Sequence, residues 1–195
     1  MVHIRIEDLE DYAKENHVPI MLKDGIDFLT KYIKDNNIKN ILEIGTAIGY
    51  SSIKMALVSD DINITTIEYD KDRYELALKN IDSFDLNNRI NCIYGNALDI
   101  ELNDTYDLIF IDAAKAQYIN FFEKFDKNLK INGVVVSDNL SFHGLVEDES
   151  KTNNRNTKQL VRKIRKYIDY LKENNNYNTT FYKLGDGVAV SIKLK

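Results

Sequence analysis

The fold of this protein is decided by one stretch of the chain, ILEIGTAIGYSS at residues 41–52. The stretch begins with an apolar run typical of a buried strand, passes through a turn that contains Gly45 and Gly49, and ends in residues that favour a helix. Glycine at these positions lets the backbone approach a ligand closely, and Ser51 is placed to cap the new helix. The stretch therefore predicts a strand, a ligand-binding turn and a helix.

The same alternation of strands and helices continues on both sides of this stretch. Several strands are nearly continuous apolar runs, as expected for a parallel sheet that helices cover on both faces. The predicted strands are 40–45, 64–68, 90–95, 107–112, 133–138, 179–184 and 187–193, and the predicted helices are 6–17, 20–36, 50–59, 71–83, 117–128 and 155–174. This order predicts an α/β protein with a doubly wound, mostly parallel, seven-stranded sheet that ends in an antiparallel hairpin around residues 185–187.

Length and composition predict one soluble domain over residues 1–195, because no linker, repeat or low-complexity segment divides the chain. No apolar run approaches the roughly 20 residues that cross a bilayer, and the start of the chain is too polar for a signal peptide. Cys92 is the single cysteine, so an internal disulfide is excluded. We therefore expect a cytoplasmic protein without a membrane partner, and Cys92 as a small core residue.

The charge is distributed unevenly along the chain. The net charge is −5, yet residues 1–150 hold 15 Lys and Arg against 28 Asp and Glu, whereas residues 151–195 hold 11 against 3. A basic tail on an acidic body indicates an anionic partner that binds at one place.

Three consecutive strand ends carry residues suited to a nucleoside-like ligand. The turn at 45–49 lacks the GxGxxG pattern of dinucleotide-binding proteins, and Glu43 suits a ligand with a cationic group such as an amine or a sulfonium. Glu68, at the end of the second strand, is placed to bind both hydroxyls of a ribose. Asn96 and Ala97 follow the third strand and are placed to border a base. Each residue alone fits a plain turn or a solvated strand end, but their order along the sheet favours a ligand site.

The next two strand ends carry hard oxygen ligands. Asp112 follows the fourth strand, and Asp138 and Asn139 follow the fifth. Carboxylate and amide oxygens favour Mg²⁺, Mn²⁺ or Ca²⁺ over zinc, and no pair of His or Cys lies near. The alternative is that residues 138–139 form an ordinary turn after a strand. The nearby Asp112 and Lys115 favour the metal site.

Three segments, residues 43–52, FIDAAKAQY at 110–118 and DNLSFHG at 138–144, closely resemble the metal-dependent O-methyltransferases related to catechol and caffeoyl-CoA methyltransferases. The resemblance covers nearly the whole chain. It implies a Rossmann-like class I methyltransferase fold, with S-adenosylmethionine as the methyl donor and Mg²⁺, or Mn²⁺ or Ca²⁺, as the metal. The cofactor contacts that it implies are Met21, Glu43, Gly45, Ser51, Glu68, Asn96, Ala97 and Asp112. The metal ligands that it implies are Asp112, Asp138 and Asn139.

The resemblance also implies catalytic residues and an assembly. Lys115 looks like the general base that takes the acceptor proton, beside Asp112. The alternative, that Lys115 only adds positive charge near the developing oxyanion, stays open from the sequence. Residues 1–36 look like N-terminal helices that cap the pocket and join a homodimer interface.

The predicted C-terminal helix has one apolar stripe and one basic face. The stripe consists of Leu160, Val161, Ile164, Ile168 and Leu171. Solvated helix faces usually mix both signs of charge, whereas this one is almost wholly basic and suits a phosphate backbone. The RNA-binding candidates on this helix are Arg155, Lys158, Arg162, Arg165 and Lys166.

The C-terminal part of the chain, namely residues 155–165, 179–181 and 185–191, resembles the bacterial tRNA 5-hydroxyuridine methyltransferases. This resemblance implies the tRNA anticodon stem-loop as partner and 5-methoxyuridine as product. A 5-hydroxyl beside the O4 carbonyl offers a metal two neighbouring oxygens, as a catechol does. The acidic composition and the lack of an RNA-binding motif count against this acceptor. The alternatives are a catechol or phenol methyltransferase of small molecules and a non-catalytic cofactor-binding protein, which the intact set of metal and base residues disfavours.

Overall fold

The computed structural model describes residues 4–195 and contains a seven-stranded sheet with six α-helices around it. The helices are α1 (Ile6–Glu15), α2 (Lys23–Asp35), α3 (Tyr50–Ala56), α4 (Lys71–Ser83), α5 (Tyr118–Phe125) and α6 (Arg155–Glu173). The strands are β1 (Asn40–Ile44), β2 (Asn63–Glu68), β3 (Ile90–Tyr94), β4 (Tyr106–Ile111), β5 (Leu129–Ser137), β6 (Tyr177–Tyr182) and β7 (Val188–Lys193). Short 3₁₀ turns span Lys115–Gln117, Asp126–Asn128 and Glu149–Lys151.

The strand order is β3-β2-β1-β4-β5-β7-β6, and the first five strands in this order are parallel. β7 pairs antiparallel with both β5 and β6, so the chain ends in the predicted hairpin. The predicted fold class, an α/β protein with a mostly parallel seven-stranded sheet and a C-terminal antiparallel hairpin, is confirmed. The chain leaves β1 toward one edge of the sheet and returns through β4, which makes the β1–β4 boundary the switch point where ligands bind in such folds.

Helices cover both faces of the sheet because successive strand residues point to opposite sides. Ile41 of β1 and Phe110 of β4 belong to the core on the side of α1, α2, α3 and α4. Leu42 and Ile109, their neighbours in sequence, belong to the core on the side of α5 and α6. Such two-sided burial explains the nearly unbroken apolar runs in these strands.

Cys92 is confirmed as a core residue. It lies in β3 on the side of α4, and its thiol is within 3.8 Å of the Thr46 hydroxyl. Burial raises the pKa of the Cys92 thiol to about 12, so the thiol stays protonated and unreactive at neutral pH.

The main helices and strands lie where the sequence predicts them, but several ends differ. β5 begins at Leu129 rather than at residue 133, and β6 spans Tyr177–Tyr182 rather than residues 179–184. α2 begins at Lys23 rather than at residue 20, because Pro19, Ile20 and Met21 form an extended wall of the central cavity. α3 ends at Ala56, three residues early, and the predicted helix 117–128 consists of α5 between two 3₁₀ turns. Ser51 does not cap α3, since the cap is Gly49 in a left-handed conformation at φ +85°.

Within residues 4–195, no helix combines the length and the apolar character that crossing a bilayer requires.

Candidate active site

A cavity of about 700 Å³ lies beyond the carboxyl ends of β1, β2, β3 and β4. This volume is within the range of roughly 300–1,000 Å³ usual for small-molecule sites. Nine of the predicted site residues line it, namely Met21, Gly45, Ser51, Glu68, Asn96, Ala97, Asp112, Lys115 and Asn139. Glu43 and Asp138 lie behind its wall. The topology thus brings the ends of separate strands together around one ligand-sized space.

Gly45 fits this wall because no other residue would. Its φ is +100°, and a Cβ at this position would lie 2.2 Å from the backbone carbonyl oxygen of Asp112. The Asp112 N–H donates to the Ile44 carbonyl at 3.0 Å, which joins the ends of β1 and β4. The absence of a side chain at Gly45 lets the two strand ends close around the cavity.

Glu68 is held rigidly at the end of β2. One of its carboxylate oxygens accepts a hydrogen bond from the Ala47 N–H at 2.7 Å, and the other accepts from the Asp70 N–H at 2.8 Å. Each carboxylate oxygen has a second lone pair, so Glu68 keeps acceptor capacity on the cavity side. This arrangement suits a ligand with two neighbouring hydroxyls, such as a ribose.

Asn96 borders the same part of the cavity after β3. Its amide oxygen accepts from the Leu98 N–H at 3.1 Å, and its amide nitrogen donates to Asp99 at 2.9 Å. Ala97 beside it is buried and presents only a methyl group to the cavity. This corner therefore combines an amide with small and apolar side chains, which suits a base.

The structure places Glu43, one of the predicted cofactor contacts, behind the cavity wall. Glu43 is fully buried, and its carboxylate accepts hydrogen bonds from the hydroxyls of Ser51, Ser52 and Thr66. Burial raises the pKa of Glu43 to about 7, against the effect of these three hydroxyls. Glu43 therefore anchors the start of α3 to the sheet from beneath, and Ser51 is the member of this group that reaches the cavity.

The predicted metal ligands form a buried acidic pair with one amide. Asp138 is 1% exposed, and the Asn139 amide donates to its carboxylate at 2.7 Å. Burial and the negative charge of Asp112 raise the pKa of Asp138 to about 7. Burial also raises the pKa of Asp112, which the positive charge of Lys115 lowers in part, and no hydrogen bond contributes. Two buried carboxylates that repel each other form a site that a cation would stabilise.

No three His, Cys, Asp or Glu side chains gather as a metal site anywhere in the described range 4–195. The predicted set contains only two carboxylates, and its third member is an amide. Hard cations accept such mixed oxygen ligands and complete their coordination with water and substrate.

Lys115 begins the 3₁₀ turn after β4 and lines the cavity beside Asp112. Its ammonium lies 5.8 Å from the centre of the Phe142 ring, over the ring face. Phe142 belongs to the segment that follows Asp138 and Asn139, so Lys115 connects the two strand ends that carry the acidic pair.

The segment after Asn139 is fixed by the turn of the β6–β7 hairpin. The Leu140 N–H donates to the Gly187 carbonyl at 3.0 Å, and the Ser141 N–H donates to the Asp186 carbonyl at 2.7 Å. Gly187 has a φ of +86°, and a Cβ there would lie 2.7 Å from the Ser141 nitrogen. The hairpin turn thus supports the end of the cavity where Asp138 and Asn139 lie.

Comparison with known proteins agrees with this geometry. Residues 2–194 match the model of the O-methyltransferase family. A caffeoyl-CoA O-methyltransferase from Populus kitakamiensis is 30% identical over 177 residues, which are 86% of this chain and 75% of that protein. The chain belongs to the O-methyltransferase family.

Two solved structures resemble this methyltransferase closely. A Staphylococcus aureus protein named for caffeoyl-CoA O-methyltransferase is 43% identical with a TM-score of 0.94, over 97% of this chain and 92% of that one. The O-methyltransferase of Bacillus cereus, solved in complex with SAH, is 26% identical with a TM-score of 0.82, over 96% of this chain and 90% of that one. The protein is an O-methyltransferase that uses S-adenosylmethionine as its methyl donor.

Several cavity residues of the methyltransferase were not predicted. Tyr69, Asp70 and Arg73 follow Glu68 and line the cavity, and Asp70 caps α4 by accepting from the Arg73 N–H at 3.0 Å. The sequence feature that could have identified them as cavity residues is their position directly after β2, at the carboxyl edge of the sheet. Tyr50 and Phe121 also line the cavity, but their apolar surroundings in sequence are typical of plain core residues.

The predicted RNA-binding residues of the methyltransferase are not equivalent. Arg155 and Lys166 are exposed, Lys158 is half-buried, and the Arg162 side chain is 66% exposed. Arg165 differs, because its guanidinium donates to the Val146 carbonyl at 2.9 and 2.7 Å and to Glu149 at 2.9 Å. Helical periodicity places Arg165 on the basic face but cannot show that a loop folds onto it.

Proposed function

We propose that this O-methyltransferase transfers a methyl group to the 5-hydroxyl of 5-hydroxyuridine at the wobble position of tRNA and gives 5-methoxyuridine. The observation that carries the proposal is the position of the basic face of α6 on the acceptor side of the cavity. α6 packs against the 3₁₀ turn that contains Lys115, and Arg165 contacts the segment that follows Asn139. An RNA backbone on this face would therefore lie beside the acceptor site.

The basic face has the shape and charge of a phosphate site. Arg155, Lys158 and Arg162 line a shallow depression of about 470 Å³, together with Asn153 and Gln159. Phosphate contacts by Arg and Lys supply most of the affinity in non-specific nucleic-acid binding. The wobble base is unpaired in the anticodon loop, so little stacking energy is lost when it enters a pocket.

The donor set fits a divalent cation, and we propose Mg²⁺ at Asp112, Asp138 and Asn139. Burial raises the pKa of both carboxylates, and the negative charge of Asp112 raises that of Asp138 further, as expected of a cation site. A bound divalent cation supplies positive charge that lowers the pKa of the acceptor hydroxyl and fixes its direction. The two neighbouring oxygens of 5-hydroxyuridine match such a site.

The other residues around the cavity have separate roles in donor binding and in proton transfer. Gly45, Glu68 and Asn96 hold the nucleoside part of the donor, which supplies an electrophilic methyl group when bound. Lys115 lies beside Asp112, where its side-chain amine is placed to take the proton of the acceptor hydroxyl. The cavity wall excludes bulk water and holds donor and acceptor in one orientation, which lowers the entropic part of the barrier.

The direct test uses purified protein, Mg²⁺, labelled S-adenosylmethionine and an anticodon stem-loop RNA with 5-hydroxyuridine at the wobble position. We expect label in 5-methoxyuridine and none in the same RNA with plain uridine. In a deletion strain, mass spectrometry of tRNA nucleosides should show 5-hydroxyuridine in place of 5-methoxyuridine. Undiminished 5-methoxyuridine, in the absence of a second enzyme, would contradict the proposal.

Charge reversal on α6 tests the RNA contact separately. Arg155→Glu combined with Arg162→Glu should lower tRNA methylation by at least about tenfold, because each reversal removes a phosphate contact and adds a repulsive charge. Lys79→Glu, an exposed lysine on α4, is the matched control and should have no effect. Equal effects of both variants would contradict an RNA site on α6.

The second candidate is a small-molecule methyltransferase for catechols or related phenols. The observation that favours it is the similarity to caffeoyl-CoA O-methyltransferases. Salt separates the two acceptors, because tRNA methylation should fall steeply between low and moderate salt, whereas turnover of a neutral catechol should barely respond.

We also propose that the protein acts in the cytoplasm as a homodimer joined through its N-terminal helices. Tyr12 of α1 and Leu22 before α2 are large apolar side chains that are exposed in the single chain. Light scattering at several concentrations tests the assembly, and a monomer at all of them would contradict it.

A further inference from the structure

A short acidic segment covers part of the basic face of α6. Residues 145–151, named the strap here, lie against the helix, and the Glu149 side chain sits between two arginines. One carboxylate oxygen is 2.9 Å from the Arg165 guanidinium, and the other is 3.6 Å from that of Arg162. Only 20% of the Glu149 side chain is exposed. The strap therefore occupies the centre of the surface that we assign to RNA.

Arg165 fastens the strap to the helix. Its Nε and Nη2 both donate to the Val146 carbonyl, at 2.9 and 2.7 Å, while Nη1 donates to Glu149. All three nitrogens of the guanidinium are thus used within the protein. Guanidinium groups bind carboxylates and phosphates with the same fork of donors, so either anion fits this position.

Two neighbouring cations on this face, Arg155 and Lys158, have no such partner among the described residues. Arg155, Lys158, Arg162 and Arg165 follow at helical spacing along one side of α6. In the part of the chain that the structure describes, neither Arg155 nor Lys158 forms an ion pair within 4.0 Å, and Glu149 is the one carboxylate paired with this row. The row is a line of cations in which one carboxylate, that of Glu149, already occupies one position.

We propose that Glu149 holds the position of an RNA phosphate between Arg162 and Arg165, and that RNA binding exchanges the strap for the RNA backbone. This inference rests on RNA as the partner of the proposed function. Glu149 is then a specificity-determining residue. Its competition weakens the binding of any RNA whose phosphates are not placed to contact the rest of the row, because each exchange must displace an internal ion pair.

The strap is connected to the acceptor side of the cavity. The Val146 N–H donates to the Ser141 carbonyl at 3.0 Å, and the Ser141 hydroxyl donates to Glu147 at 2.9 Å. Phe142, the next residue, lies under the Lys115 ammonium. Release of the strap thus loosens the segment that borders the acceptor position, which links RNA recognition at α6 to the pocket that receives the base.

The test compares Glu149→Gln with the wild type by fluorescence anisotropy, using a labelled anticodon stem-loop RNA and an oligouridylate of equal length. Glu149→Gln should bind both RNAs roughly fivefold more tightly, with the larger gain for the oligouridylate, so that discrimination falls. Glu173→Gln, an exposed glutamate at the other end of α6, removes the same charge and should change neither quantity.

Hydrogen exchange of the wild-type protein gives a second measurement that needs no variant. Amides of residues 141–151 should exchange faster when the stem-loop RNA is bound, because the strap leaves α6, while amides of β1 and β4 stay protected. Slower exchange of this segment in the complex, or unchanged affinity of Glu149→Gln, would overturn the proposal.

These outcomes are separate from those of the methylation assay. Tighter RNA binding by Glu149→Gln without methylation of 5-hydroxyuridine would support the strap exchange and contradict the assigned acceptor. Methylation of 5-hydroxyuridine in tRNA with unchanged RNA binding by Glu149→Gln would support the assigned acceptor and contradict the strap exchange.

Discussion

The two halves of the cavity are built in different ways. The donor half, formed by residues 43–52, 66–73 and 95–98, consists of strand ends, a glycine turn and buried hydroxyl groups. The acceptor half, formed by Asp112, Lys115 and Asn139 with Asp138 behind them, lies where β4 and β5 end, and the irregular segment that follows Asn139 is held by the hairpin turn and by Arg165. The comparison teaches that rigid strand ends form the side where we propose that the donor binds, while an irregular segment held by side-chain contacts adjoins the proposed acceptor side.

The largest expected effect belongs to the acceptor half. Asp138→Asn should lower methyl transfer by about a thousandfold at fixed Mg²⁺, because a site with one carboxylate loses several kcal/mol of cation binding and activation. The apparent affinity for Mg²⁺ should fall while the affinity for the donor, measured by calorimetry with SAH, changes little. Asp60→Asn, at a fully exposed carboxylate, is the control. Unchanged metal dependence would contradict the metal site and this division of the cavity.

The next effect belongs to the donor half. Gly45→Ala should weaken SAH binding by about a hundredfold, because the new Cβ would lie 2.2 Å from the Asp112 carbonyl oxygen and push the ends of β1 and β4 apart. Gly185→Ala is the control, since its φ is also positive, at +54°, yet its nearest atom is 3.4 Å away. Similar losses in both variants would mean that backbone conformation, rather than close approach, matters at Gly45.

These two sites also show how far the sequence alone leads. The glycine turn, Glu68 and the acidic pair were predictable because parallel strands align their carboxyl ends, so that strand ends far apart in sequence meet. The internal role of Glu43 was not predictable, since its three partners become neighbours only when α3 packs on β1 and β2. The contact between Arg165 and Val146 was not predictable either, because the strap is an irregular loop whose sequence has no periodicity.

A smaller effect, on stability, should appear in Glu43→Gln. Folding raises the pKa of Glu43 from 4.5 to about 7, so its contribution to stability is present at low pH and is lost as pH rises through about 7. Relative to the variant, the wild type should lose about 2 kcal/mol of unfolding free energy between about pH 5.5 and about pH 7.5. Urea titrations across this range measure the difference, with Glu173→Gln as a control for one lost charge. Parallel pH profiles of wild type and Glu43→Gln would show that Glu43 keeps its proton affinity on folding.

The smallest effect tests how α6 is attached to the sheet. Tyr167 is fully buried, and its hydroxyl is hydrogen-bonded to the Ser137 hydroxyl at 2.7 Å, directly before Asp138. The predicted apolar stripe omitted Tyr167, because a tyrosine in a basic helix is compatible with either face. Tyr167→Phe should cost about 1 kcal/mol, since one buried hydrogen bond is lost and the ring remains. Tyr170→Phe on the same helix, where the hydroxyl is half-buried, should cost less in the same thermal denaturation. A larger loss of stability in Tyr170→Phe would show that the Tyr170 hydroxyl contributes more to the attachment of α6 than the Tyr167 hydroxyl does.

The hairpin turn has a consequence for where this chain can tolerate change. Because β7 lies beside β5, its turn holds Leu140 and Ser141 against the sheet, and the next α-helix begins at Arg155. Between these points the chain is irregular, and its contacts include those of Arg165 with Val146 and Glu149. Insertions or substitutions in this stretch would therefore leave every strand of the sheet in place.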